Sequence, residues 1–353
     1  MRWGVLGTGK IAHDFVTALF ASSSETVVAV ASRSLERSNA FAVNHNIPAA
    51  FGSYEALLDE AEIDIVYVAT SFNGDFTSTA DHVATARKCV LRKKAVLMEK
   101  PMASTAADAR SLAESAALSS VFLMEGVWMH FFPVIEQIRL AVSSGELGEV
   151  TSVQASFGWR NSAEHNPAVE DASLGGGALG AVGIYLIHLA LLAYGGRKPT
   201  KVEAIAERGA LGADVHTSIL LGWPGNAHAV LTCSLRENLE GAAVIHGSKG
   251  TVRIPFPFLC PVVASVCVDG APPRELRHEL PQSPEVRNAA GKVISGQFNL
   301  VHSAGLAYEA EAVARAVATG ALQSEAVPLE RSLLALEIMD EVRAKSGLSS
   351  VVA

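Results

Sequence analysis

Two glycines separated by one residue, in Gly7-Thr8-Gly9-Lys10-Ile11-Ala12, follow the apolar run Arg2 to Leu6. That pattern suits the pyrophosphate of a dinucleotide. Glycine lets backbone N–H groups close on the phosphates, and a helix starting near Lys10 turns its partly positive end toward them. Gly7, Thr8, Gly9, Lys10 and Ile11 are the expected contacts, and Ala12 in the third glycine position still permits close helix packing. A second group, Ser32-Arg33-Ser34 with Arg37 one helical turn on, ends the apolar run Thr26 to Ala31. A carboxylate at this point would hold the ribose 2′-hydroxyl of NAD, whereas a cation accommodates the 2′-phosphate of NADP. Here the cation is present and the carboxylate is not. NADP is therefore expected ahead of NAD, with Arg33 pairing the phosphate or stacking on adenine and the serine hydroxyls donating to phosphate.

The elements needed to position these residues are legible. Ile11, Phe15, Val16, Leu19 and Phe20 share one helical face, and the strand 26–31 follows at strand-helix-strand distance. Asp64 to Thr70 reads as a buried parallel strand, 77–92 as a helix, 95–98 as a strand, 104–118 as a helix and 121–124 as a strand, giving a doubly wound sheet. Ligands bind beyond the carboxyl ends of such strands, so Thr70, Ser71, Asn73, Glu99 and Lys100 fall at the mouth of the site. The expected fold class is α/β, with a Rossmann domain over 1–124 and an α+β domain over 125–353 whose last helices could pack back on the first domain. In the latter we expect helix 133–143, strand 150–158, an apolar helix from Leu179 to Tyr194, and extended runs 201–208, 214–222, 227–235, 242–246, 250–254 and 262–268. Successive strands without intervening helices predict a mostly antiparallel sheet. Helices 305–319 and 329–346 close the chain, and 270–300, crowded with proline, glycine and charge, is expected to be a mobile loop.

At 353 residues the chain exceeds what one core usually fills, and with 49% hydrophobic and 18% charged residues it can bury large cores. A net charge of −8 without a basic cluster argues against nucleic acid or anionic membranes as partners. The sequence shows no signal-peptide core and no run long enough to span a bilayer, so a cytoplasmic protein is expected. Cys89, Cys233, Cys260 and Cys267 lack CxxC spacing and are expected as reduced thiols. The scattered histidines predict no metal site.

Taken in order, Gly7 to Ala12, Glu99-Lys100-Pro101, Met124-Glu125-Gly126-Val127-Trp128, Gly175-Gly176-Gly177-Ala178-Leu179 and Gly183-Ile184-Tyr185 resemble the glucose-fructose oxidoreductase / inositol dehydrogenase (Gfo/Idh/MocA) family. Trp128-x-x-Phe131-Phe132-Pro133 and the tail Gly305 to Ala310 are most similar to its branch of dimeric dihydrodiol dehydrogenases and NADP-linked aldose dehydrogenases. The resemblance implies an open-faced C-terminal sheet that pairs subunits into a homodimer or homotetramer. It also implies hydride transfer between the nicotinamide and a carbinol of a sugar, polyol or cyclic diol. By the same resemblance Lys100 orients the hydroxyl and holds the nicotinamide ribose, and Tyr185 is the general acid/base, its pKa expected to be lowered by the cation and by partial burial. His188, three residues on, could share the proton relay, while Trp128 and Phe157 wall the substrate pocket.

Three departures stand beside the matches. Ala181 occupies the position where many relatives carry Asp. His130 replaces an arginine, and Thr70-Ser71-Phe72-Asn73 replaces the usual Thr-Pro-Asn. They leave two alternatives to the NADP-dependent dehydrogenase: a noncatalytic NADP-binding sensor or partner protein, and a redox-cycling lyase or glycosidase that retains its cofactor.

Overall fold

The computed structural model describes residues 1–22, 24–70, 79–162 and 166–348, with the backbone alone at 79–81. Its first domain alternates strand and helix: β1 (Arg2–Leu6), α1 (Lys10–Leu19), β2 (Thr26–Ala31), α2 (Leu35–His45), β3 (Ala49–Phe51), α3 (Tyr54–Glu60), β4 (Ile65–Val68), α4 (Thr79–Leu91), β5 (Ala95–Glu99), α5 (Ala106–Ser119) and β6 (Leu123–Gly126). The six strands are parallel in the order β3-β2-β1-β4-β5-β6, and the reversal between β1 and β4 opens a crevice beyond their carboxyl ends. Helices cover both faces, which is why Val5, Val30, Val66, Leu97 and Met98 are all fully buried and the strands read apolar rather than alternating. β6 lies two residues later than the sequence suggests. Ser120 caps α5 in the left-handed conformation (φ 53°), and the chain needs Val121 and Phe122 to turn back into the sheet.

The second domain contains α6 (Pro133–Ser143), β7 (Val150–Gly158), α7 (Ile184–Ala193), β8 (Lys201–Arg208), β9 (Asp214–Gly222), β10 (His228–Ser234), β11 (Ala243–Gly247), β12 (Gly250–Ile254), β13 (Val263–Val268), β14 (Arg274–Arg277), α8 (Leu306–Ala318) and α9 (Leu329–Lys345). Its sheet runs β14-β13-β12-β11-β7-β10-β9-β8, antiparallel except where β7 meets β10. One face, including Val215, Ile219, Leu221, Ala229 and Leu231, is buried beneath α7, itself buried along its whole length. The other is open and carries Ile205 (79% exposed), Leu220 and Val230. The helix expected from 179 to 194 divides into a π-turn at Leu179–Gly183 and α7.

The segment 270–300 is not the free loop its composition suggests. β14 pairs with β13, and the chain beyond it is tied to the first domain. Asp14, fully buried on α1, accepts four hydrogen bonds: Asn299 N (2.8 Å) and Asn299 Nδ2 (2.8 Å) on Oδ1, Leu300 N (2.9 Å) and Ser303 Oγ (2.6 Å) on Oδ2. Asn46 Nδ2 donates to the Arg287 carbonyl. Proline and glycine exclude helix from this stretch, but tertiary hydrogen bonds order it without one. α8 packs on α1, and α9 on α5 and α7.

Beside this strap, His13 Nε2 donates to the Gln297 carbonyl (2.7 Å), His45 Nδ1 donates to the Phe41 carbonyl (2.8 Å), and His13 Nδ1 faces His45 Nε2 at 2.8 Å. Burial pushes His45 down from 6.5 to about 4, with the neighbouring His13 acting in the same direction. A histidine with a lowered folded-state pKa contributes stability that is present above the unfolded value and is lost as pH falls through the folded one. Between pH 7.5 and 4.5, wild type should lose about 2–3 kcal/mol more unfolding free energy in urea than His45→Gln. Equal losses would remove His45 from this role.

Candidate active site

The phosphate end of the crevice is shaped by backbone. Gly7 has φ +113°, and a Cβ there would stand 2.7 Å from the Ala69 carbonyl oxygen, so only glycine fits. At Gly9 a Cβ would meet nothing within 4 Å; it faces open space at the start of α1. α1 has no side-chain cap and no acidic residue in its first turn, so its leading N–H groups are available to an anion. These features fit a dinucleotide pyrophosphate.

At the tip of β2 the three polar residues differ in what they can still do. The buried Ser32 hydroxyl donates to the Ser34 carbonyl (2.8 Å) and accepts from Ser34 N and Ser38 Oγ, so it builds the turn. Ser34 Oγ accepts from Arg37 N as the cap of α2 and keeps its own proton to donate. Arg33 and Arg37 are exposed. Arg33 lines a cavity of about 400 Å³ with Ser53, Thr70, Thr85 and the Glu55–Lys88 ion pair (2.6 Å).

Thr70 closes β4. Its hydroxyl donates to His82 Nδ1 (2.8 Å), because His82 Nε2 donates to the Glu99 carbonyl (2.8 Å) and burial keeps that ring neutral. His82 thus ties the ends of β4 and β5 together, a role that only the tertiary fold reveals. Ser71 and Asn73 lie outside the described residues.

At the end of β5, Glu99 turns inward. Its Oε1 accepts from Tyr67 Oη at 2.5 Å, and burial raises its pKa. A cis Lys100–Pro101 bond follows. Lys100 Nζ donates to the Ala181 carbonyl (2.7 Å) in the π-turn and lies 5.0 Å from the centre of the Tyr185 ring. Burial lowers the Lys100 pKa against the opposing pull of Glu99 and Glu125. Tyr185, the second residue of α7, is buried, and its pKa is raised well above 10, first by burial and then by Glu99 and Glu309; Trp128 opposes the shift. The expected lowering is thereby corrected: burial penalises a phenolate, and Lys100 sits over the ring.

His188 is fully buried one turn deeper. Its Nδ1 is 3.1 Å from His130 Nε2, and its Nε2 is 3.6 Å from Glu125 Oε2, just beyond hydrogen-bond distance. Glu125 Oε1 accepts from Met102 N at 2.9 Å. Burial alone would raise the Glu125 pKa, but His188 holds it below the ordinary value. Burial drives the His130 pKa well below 6.5. Trp128 stands edge-on to Phe132 near Tyr185, and Phe157 lies 6.1 Å from each of Phe256 and Phe258.

Lys100, Tyr185, Trp128 and Glu99 therefore meet in one place, with His188 beneath them. Two acidic residues went unanticipated. Asp214, buried on β9, accepts from Leu179 N (2.8 Å) and Thr217 Oγ1 (2.7 Å) through Oδ2, and its Oδ1 would lie 2.1 Å from a Cβ at Gly177. It anchors the glycine-rich turn ahead of the π-turn. Glu309 is fully buried, neither carboxyl oxygen has a partner among the described residues, and burial raises its pKa well above 4.5. Its signal was in the sequence: it sits with Leu306, Ala310 and Val313 on the apolar stripe of α8.

Residues 1–127 match the model of an oxidoreductase family with an NAD-binding Rossmann fold, and residues 135–253 match the GFO/IDH/MocA C-terminal domain. Trans-1,2-dihydrobenzene-1,2-diol dehydrogenase of Sus scrofa is 34% identical over 351 residues, covering 99% of this chain and 98% of the relative. The Danio rerio protein of that name is 36% identical over 350 residues, covering 99% and 97%. Among solved structures, aldose-aldose oxidoreductase from Caulobacter crescentus complexed with glycerol superposes with a TM-score of 0.78 at 21% identity, covering 98% of this chain and 97% of that one. A 3-ketoreductase from Actinomadura kijaniata, in complex with NADP and TDP-benzene, gives 0.77 at 24% identity with the same coverage.

Proposed function

The chain belongs to the Gfo/Idh/MocA oxidoreductase family, and from that premise we propose that it transfers hydride between NADP and a CH–OH carbon of a sugar, polyol or cyclic trans-diol. The observation that carries this reading is the placing of Lys100 Nζ, held by the Ala181 carbonyl, over the Tyr185 ring at the carboxyl end of the parallel sheet. Bound NADP supplies the hydride acceptor or donor. The protein must move the hydroxyl proton and bear the charge that develops on oxygen. Tyr185, protonated across the neutral range, donates to the carbonyl oxygen during reduction and is reprotonated through Lys100, whose lowered pKa eases proton exchange. In oxidation the same groups act in reverse. Because Lys100 is fixed by a backbone carbonyl, its position does not depend on the side chain at 181. This favours a working catalyst over a sensor despite Ala181. Trp128 and Phe157 offer apolar walls to a ring-shaped substrate.

The preference for NADP rests on Arg33, Ser34 and the absence of a carboxylate at the tip of β2. Calorimetric titration with NADPH and NADH tests it. Arg33→Ala should weaken NADPH binding about 10–100-fold, as expected for a charge-assisted bond, and NADH binding less than about threefold. Equal losses would overturn the assignment. The open sheet face with Ile205, Leu220 and Val230 is the surface through which we expect two copies to pair. No described helix is long and apolar enough to cross a membrane, and the four cysteines are free thiols, which suits a reducing compartment such as the cytoplasm.

A further inference from the structure

A second cavity, of about 710 Å³, opens at the carboxyl end of α7. It begins at Leu192, seven residues past Tyr185 and roughly 10 Å farther along the helix. Its walls carry three guanidinium groups, Arg139 of α6, Arg197 after α7 and Arg331 in the first turn of α9, against one carboxylate, Glu149. Arg139 is held by Glu136 through Nε at 2.9 Å and through a second bond from Nη2. Arg197 Nε donates to the Tyr194 carbonyl (3.1 Å), and Arg331 Nη1 to the Ala326 carbonyl (2.7 Å). These bonds orient the groups without exhausting five donors apiece. Arg331 Nε is buried with no partner among the described residues. Burial and the neighbouring charge of Arg139 both lower the Arg331 pKa, as when like charges share one space.

We propose that this cavity is a second ligand site, and that it takes the dianionic phosphate group of a small molecule between Arg331, Arg197 and Arg139. Planar guanidinium forks match phosphate oxygens in geometry, and a dianion offsets the mutual repulsion of the arginines. The volume falls within the range of small-molecule pockets and leaves room beyond the phosphate for a sugar-sized body. The site also stands at one end of a buried polar line. Arg331 and Arg139 act electrostatically on His130, which meets His188, which faces Glu125 below Lys100.

The test is a calorimetric titration of the full-length protein with inorganic phosphate and with glucose 6-phosphate at fixed ionic strength. Saturating NADPH is present so that the dinucleotide site is filled. Saturable binding should fall at least about tenfold in both Arg331→Gln and Arg197→Gln, the loss of one charge-assisted bond. NADPH binding and melting temperature report folding in each variant. Tighter binding of glucose 6-phosphate than of phosphate identifies a phosphorylated sugar as the ligand, and equal binding identifies free phosphate; both support the site. No saturable binding, or unchanged binding in the two variants, overturns it. The titration repeated without dinucleotide keeps this result separate from the proposed cofactor preference.

Discussion

Replacing Lys100 with Met should lower kcat by about 10²–10⁴-fold, the range for removing a positioned proton-transfer or charge-stabilising group. The apolar side chain keeps the volume but cannot reach the Ala181 carbonyl as a donor. NADPH affinity, measured by calorimetry, should change less than about tenfold, because the glycine turn and Arg33 proposed to hold the phosphates lie elsewhere in the crevice. Tyr185→Phe keeps the ring under Lys100 and removes only the hydroxyl; its kcat should fall by about 10²-fold with an unchanged melting temperature. The raised Tyr185 pKa and the lowered Lys100 pKa also fix a sign. In the direction of alcohol oxidation, activity limited by loss of a proton from Lys100 rises with pH below 10.5, and that limb should vanish in Lys100→Met while persisting in the residual activity of Tyr185→Phe. A Lys100→Met enzyme with wild-type kcat would exclude the proposed mechanism.

The second large effect is on stability. Asp14→Ala leaves Asn299 N, Leu300 N and Ser303 Oγ without their acceptor inside the interface between the domains. Of these donors Ser303 is fully buried, whereas Asn299 and Leu300 belong to exposed residues that water can partly satisfy; an orphaned buried donor costs about 1–3 kcal/mol, so a net loss of about 2 kcal/mol is expected. Asp14→Asn keeps one acceptor oxygen and should lose about half as much. Urea denaturation would show the midpoint falling at constant slope. A loss below about 1 kcal/mol for Asp14→Ala would mean that the strap contributes little to holding the domains together.

What the sequence made legible was what repeats locally. The glycine turn, the apolar runs of β1, β2, β4 and β5, and the antiparallel strands from β8 to β13 follow from periodicity and turn residues. Bringing Lys100 to Tyr185, 85 positions away, was legible only through the family resemblance, since no local period links them. The π-turn at 179–183 escaped because Leu179 to Tyr194 is almost continuously apolar, and the bonds made at the turn, Leu179 N to Asp214 and Lys100 to the Ala181 carbonyl, come from distant elements. The sign of the Tyr185 shift escaped for a related reason: a neighbouring cation can be inferred from a motif, whereas the degree of burial and the facing Glu99 and Glu309 depend on four separate elements. The ordered path of 279–303 was hidden because its partners, Asp14 and His13, belong to the first domain.

That path bears on how such proteins can be recombined. The two domains look like cassettes divided near residue 125, yet α1 is completed by 297–303, Leu123 N donates to the Leu322 carbonyl (3.1 Å), and α9 covers α5. A chimera spliced once at that point would graft a foreign tail onto helices shaped for another sequence. Exchange of substrate preference between relatives therefore calls for two crossovers, replacing roughly residues 127–296 as an insert and leaving both ends of the chain to be inherited together.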